Sequence, residues 1–151
     1  MEIKVKLDKP YSEEQRMDFI VSNNHQLGYE IKETESALEA WGYTEEEKEQ
    51  QERERIANLH MTRGDVFRGL LLAKAVTRAD MRGLIEAMPE ETPEQKIAKE
   101  YALIDFDEAL EFYRGVPLID TVGEQLGITP TQMDRFFETK DWHELINEEE
   151  K

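Results

Sequence analysis

Residues 92–113 read Thr92-Pro93-Glu94-Gln95-Lys96-Ile97-Ala98-Lys99-Glu100-Tyr101-Ala102-Leu103-Ile104-Asp105-Phe106-Asp107-Glu108-Ala109-Leu110-Glu111-Phe112-Tyr113. Thr92 stands three residues before Gln95, the spacing at which an N-cap side chain and the N3 side chain satisfy each other's backbone amides. Pro93 fills the first helical position, where a missing N–H costs nothing. The stretch therefore predicts one helix of about six turns. At about 100° per residue, Ile97, Tyr101 and Ile104 fall on one side, and Leu103, Phe106, Leu110 and Tyr113 nearly opposite. A helix apolar on two sides needs cover from two sides, so this one is the expected hub of a helical domain.

The same capping grammar extends outward in both directions. Thr44, Thr62, Thr77 and Thr129 each precede an acceptor side chain by three residues: Glu47, Asp65, Asp80 and Gln132. Each reads as a helix start, with Pro130 repeating the role of Pro93. The helix from residue 45 to about 61 is polar for its first three turns and reads as a charged link. The next two offer core faces, Val66, Phe67, Leu70, Leu71 and Ala73 on one, Met81, Leu84, Ile85 and Met88 on the other. Beyond the hub, residues 117–126 make a short helix that Gly127 closes, and Thr129 opens another to about residue 138. This pair has helix-turn-helix spacing, but Thr131, Gln132, Asp134 and Arg135 offer one base to a groove, so a structural pair is the expectation.

Upstream of Thr44 the periodicity changes. Ile3, Val5 and Leu7 alternate with Glu2, Lys4 and Lys6, the period of a half-buried strand that Pro10 ends. Ser12 and Gln15 form a capping box for a helix to about Asn24, and residues 29–33 and 37–41 read as two strands joined through Thr34-Glu35-Ser36. The expected fold class is α+β, mostly α: a small N-terminal β-α-β-β piece followed by a helical bundle around one central helix. Its expected parts are an α/β subdomain over 1–43, a charged linking helix over 44–61, the bundle over 62–146 and a frayed acidic tail over 147–151.

The chain has 35 acids against 19 bases, a formal charge of −16, and no cysteine. Disulfides, zinc–thiolate sites and thiol catalysis are excluded. No apolar run is long enough to span a membrane and the opening lacks a signal peptide's apolar core, so the cytoplasm is the expected location. Only residues 62–88 are net basic, with three acids against five bases. A field of this sign repels phosphate backbones and favours cationic partners, so direct nucleic-acid binding is not expected.

Chemical motifs are absent. His25, His60 and His143 lie on separate elements and lack the spacing of metal ligands. Asp107 and Glu111 share a helical face, but a metal site would need matching carboxylates from another helix. There is no Gly-rich phosphate loop and no nucleophile elbow. Arg63-Gly64-Asp65 spells an adhesion tripeptide at a place where a capping box requires Asp. Neither cofactor nor metal nor enzymatic activity is expected.

The opening Lys9-Pro10-Tyr11-Ser12-Glu13-Glu14-Gln15-Arg16-Met17-Asp18-Phe19-Ile20, followed by Gly28-Tyr29-Glu30-Ile31 and the Thr44-Glu45-Glu46-Glu47 helix start, resembles small orphan proteins encoded in phages and prophages of Gram-positive gut bacteria, often near tail genes. The resemblance covers about a third of the chain and implies a phage origin and a task served by binding. Two roles follow as expectations. The first is an anti-CRISPR-like inhibitor docking on a basic surface of a host nucleic-acid-binding or immune effector protein, through Asp105, Asp107, Glu108, Glu111, Asp120 and Glu124. The second is a tail-assembly or virion accessory protein meeting a tail protein or copies of itself, through exposed aromatics among Trp41, Tyr43, Phe136, Phe137 and Trp142. Core burial is the plainer expectation for Phe136 and Phe137.

Overall fold

The structure, a computed structural model, describes residues 1–150. The protein is α+β and mostly helical, with strands concentrated at its amino-terminal end. It divides into two units, Met1–Arg53 and Glu54–Lys151.

In the first unit, β1 (Glu2–Asp8), β2 (Glu30–Glu33) and β3 (Ala37–Gly42) form an antiparallel sheet in the order β1-β3-β2. The β2–β3 turn runs through Thr34-Glu35-Ser36, as the spacing predicts. Thr34 donates its N–H to the Ala37 carbonyl at 2.8 Å, and its Oγ1 accepts from the Ala37 N–H at 3.0 Å. Central β3 carries the buried Ala37, Leu38 and Ala40. Phe19 joins Leu38 and Ala40 in a small core, flanked by Leu7, Tyr11, Ile20, Tyr29 and Ile31. Phe19 comes from α1 (Glu13–Ile20), which opens with the Ser12–Gln15 capping box and continues as a π-helical turn over Val21–His25. There the buried Asn23 donates to the Phe19 carbonyl, and Asn24 to that of Tyr29, which ties the end of the helix to the start of β2.

The last helix entered from this unit is α2 (Glu45–Ala57), and the boundary between units falls inside it. Glu47 caps its start by accepting the Thr44 N–H at 2.8 Å and the terminal ammonium of Met1 at 2.5 Å. The ammonium, then the Thr44 amide, hold the Glu47 carboxyl down at about 2. A depressed folded pKa contributes stability above the ordinary carboxylate range and loses it as pH falls through the folded value. Carboxyl-detected NMR titration should therefore place the Glu47 midpoint near 2, with the amino terminus released from α2 across the same acid limb.

The second unit holds β4 (His60–Thr62), α3 (Arg63–Lys74), α4 (Arg78–Glu86), α5 (Pro93–Glu108), β5 (Glu111–Tyr113), α6 (Pro117–Gln125) and α7 (Pro130–Thr139). The threonine caps are all made: Thr44, Thr62, Thr77, Thr92 and Thr129 each accept the N3 amide at 3.2 Å. The reciprocal bond forms at Thr44, Thr77, Thr92 and Thr129. At Thr62 the Asp65 carboxylate instead accepts from Arg68 at 2.8 Å.

Two helices stop earlier than their periodicity predicts, and one feature accounts for both. The link helix ends at Ala57 instead of about residue 61, and the hub helix ends at Glu108 instead of Tyr113. The residues beyond each end pair as antiparallel β4 and β5, with Met61 opposite Phe112. Both of those side chains are buried, and Phe112 lies 5.8 Å from the Phe67 ring. Packing of Met61 and Phe112 outweighs the continued helix, since propensity is a weak prior against tertiary burial.

The expectation of a hub covered on two sides is corrected as well. Helix α5 packs against α4 and α6 through buried Ala102 and Phe106, but its other side is open. The deepest side chains come from elsewhere: Phe136 and Phe137 on α7, Met81 and Ile85 on α4, and Leu145 in a 3-10 turn over Trp142–Leu145. Phe136 and Phe137 are thus core residues. The expected tail over 147–151 holds a 3-10 turn at Glu148–Glu150, while Asn147 accepts a bond from Gln132 at 3.1 Å; Lys151 lies outside the described residues.

Helices α6 and α7 meet across a turn in which Gly127 adopts φ +70°, a conformation glycine takes without strain. Of the polar groups of α7 singled out from sequence, Gln132 and Asp134 are half-buried and engaged within the protein, while Thr131 and Arg135 are exposed. Asp134 accepts from Arg114 at 2.6 Å, Gln132 serves the Thr129 cap, and Arg135 lies 3.9 Å from Glu144. No helix among the described residues is long and apolar enough to cross a membrane.

Candidate partner-binding face

Helix α5 projects an apolar stripe into solvent. Ile97, Tyr101 and Ile104 are 55%, 66% and 47% exposed, although their spacing of four and then three residues is that of a buried face. On the helical projection they occupy a sector of about 60°. Glu94 and Asp105 border it on one side, Glu100 and Asp107 on the other, and Glu108 continues its line past Ile104. Among the described residues Glu94, Glu100, Asp105 and Glu108 form no ion pair, so the rim keeps its negative charge.

The stripe opens on one flank into a groove of about 330 Å³ between α5 and α6, lined by Met88, Ala98, Tyr101, Ile104, Pro117 and Leu118 among others. Asp105 and Thr121 are its polar lining groups. The floor is built by the fold: Thr92 and Pro93 fix where α5 starts, and β5 fixes where it ends, so the stripe is held on about two turns inside a 16-residue helix. An apolar centre with a charged border is the anatomy of a protein interface.

Of the six acids expected from sequence to contact a partner, three lie on this helix. Asp105 borders the groove, Glu108 points outward, and Asp107 is paired with Arg82, whose guanidinium it holds above its ordinary pKa. Glu111 is exposed on β5, opposite Thr62. Asp120 is paired with Arg114 at 2.8 Å, and Glu124 lines a different groove, of about 580 Å³, between α6 and α7. The carboxylates thus do not form one continuous track, and two of the six carry arginine partners. Of the five aromatics, Tyr43 is exposed and Trp41 half-buried, with Lys32 4.5 Å from its ring centre and Glu39 accepting its indole N–H. Trp142 packs partly against the core of the second unit and stacks on His143 at 3.8 Å.

Two features are not evident from sequence. The stripe itself reads as core, because periodicity reports amphipathicity and not whether a neighbour is present. The second is a groove of about 460 Å³ whose lining includes Arg63, Phe67, Arg68, Leu71, Val76 and Arg78 and, among the described residues, no acid. Its one sequence signal is the net basic segment 62–88. No group of three His, Asp or Glu side chains among the described residues is placed to hold a metal ion.

No protein-family model, curated protein or solved structure matches the chain.

Proposed function

We propose that this chain is a phage- or prophage-type, non-enzymatic binding protein that docks a basic, amphipathic protein surface on the α5 face. The observation that carries this reading is the exposed Ile97, Tyr101, Ile104 stripe bordered by Glu94, Glu100, Asp105 and Glu108, which form no ion pair among the described residues. The stripe supplies desolvation energy at the centre, Tyr101 being a hot-spot type, and the rim selects cations and speeds encounter. The arginine partners of Asp107 and Asp120 support a docking face on α5 over a phosphate-like track along the helices. This favours a tail-assembly or virion accessory role. Inhibition of a host nucleic-acid-binding or immune effector is the second reading, supported by the free acids Glu94, Glu100, Asp105 and Glu108 and by the charge of −16.

Tyr101→Asp and Ile104→Asp test the proposal. Both positions are exposed, so stability should change by no more than about 0.5 kcal/mol. Affinity for the partner captured from phage-producing cells should fall about 30-fold with Tyr101→Asp, the size of one hot spot. Capture that is unaffected by both substitutions would remove α5 from the interface.

A further inference from the structure

We infer that the α5 face is received by the arginine-lined groove of a second copy of this chain, giving a head-to-tail assembly. The inference rests on the reading of α5 as a docking face and names its partner. Arg63, Arg68 and Arg78 surround a floor of Phe67, Leu71 and Val76, and Leu71 is among the exposed large apolar side chains. In a chain with 35 acids and 19 bases, none of the acids among the described residues lines this groove. Among the described residues Arg63 and Arg78 have no carboxylate partner, and Arg68 engages only Asp65.

Arg63 is also held in place. Its guanidinium lies 5.1 Å from the Phe67 ring centre and 5.5 Å from that of Phe106, which fixes the fork before any ligand arrives. An ordered guanidinium beside two more is built to receive oxyanions. The apolar floor requires that those oxyanions come attached to an apolar body. Helix α5 meets both conditions: Ile97, Tyr101 and Ile104 present the i, i+4, i+7 anchors of a helix-in-groove contact, with Asp105, Glu108, Glu94 and Glu100 around them. A nucleic acid would satisfy the arginines but meets the −16 field of the whole chain.

The two surfaces are different patches of one unit, so the contact is heterologous and propagates into a ring or an open chain unless it closes on a two-fold axis. Repulsion between two bodies of this charge opposes association at low salt. At about 0.15 M the Debye length is ~8 Å, which screens the bodies from each other more than pairs in contact.

Sedimentation velocity of the full chain at this ionic strength, across the micromolar range, tests the inference. The unaltered chain should assemble with rising concentration. Arg68→Glu/Arg78→Glu alters the groove without touching the stacked Arg63, and Asp105→Lys/Glu108→Lys alters the α5 face. Each should stay monomeric at concentrations about 10-fold higher than those at which the unaltered chain assembles, while circular dichroism shows both folded. Mixed in equal amounts, the two reversed variants should assemble again, because each then finds its complement. A chain monomeric throughout, assembly indifferent to either variant, or a mixture that stays monomeric overturns the inference. A monomeric chain whose Tyr101→Asp variant still loses another partner would overturn the self-association alone and leave the docking role of α5 standing.

Discussion

Phe136→Ala is expected to lower the stability of the second unit by about 3–5 kcal/mol in urea unfolding, the cost of emptying an aromatic site in a closed core. Phe136 is 1% exposed and packs edge-on against Phe137 at 5.9 Å. Its ring lies on Gly69 in α3, where an added Cβ would stand 2.3 Å from Cζ and 2.8 Å from Cε2. Gly69 is therefore required by close approach, in the middle of a helix where alanine would otherwise be favoured by about 1 kcal/mol. Gly69→Ala alone should cost about 1–3 kcal/mol, since the buried ring has no room to retreat. In the Phe136→Ala background the same change should become stabilising by up to about 1 kcal/mol, because the clash is gone and the helix preference remains. A cycle in which Gly69→Ala costs the same in both backgrounds would show that the ring does not sit on this glycine.

Arg114→Met is the second large effect. Arg114 is 6% exposed and donates to Asp134 at 2.6 Å, Asp120 at 2.8 Å and the Pro130 carbonyl at 3.3 Å. It thereby ties the segment after β5 to α6 and to the start of α7. Removing one partner of a fully buried pair costs about 3–5 kcal/mol, but Asp120 and Asp134 both reach water and can be resolvated. The expected loss is about 2–3 kcal/mol, the scale of hydrogen bonds to a charged group. Lysine should recover only part of it, because one ammonium cannot aim at three acceptors in different directions as the planar fork does. Thermal melts of the Met and Lys variants, compared at one pH, check both statements.

What the sequence makes legible here is what is decided locally. Thr44, Thr62, Thr77, Thr92 and Thr129 announce helix starts because a cap needs nothing beyond its own first turn, and Ser12 with Gln15 does the same for α1. The β2–β3 turn is equally local. The end of α5 is not, since Phe112 leaves the helix to meet Met61, a partner about 50 residues away. Nor is the exposure of Ile97, Tyr101 and Ile104, since periodicity alone demands a covering helix that none of the described residues supplies. The burial of Arg114 is hidden for the same reason: Asp120 and Asp134 reach it only after α6 and α7 have folded back. Of the candidate contacts, Asp105 and Glu108 fall on the exposed face because they share a helix with the stripe, whereas Asp107 and Asp120 are claimed by arginines.

The pairing of β4 with β5 also sets a timetable for synthesis. At a translation rate of about 5–20 residues per second, β5 leaves the ribosome roughly 3–10 s after β4. Throughout that interval Met61, Val66 and Leu70 have neither Phe112 nor Phe136 to close upon, and neighbouring nascent chains on a polysome carry the same unfinished surface. Residues 1–61, already emerged, carry 15 acids against 8 bases, so half-made copies meet as like-charged bodies before the last two helices arrive.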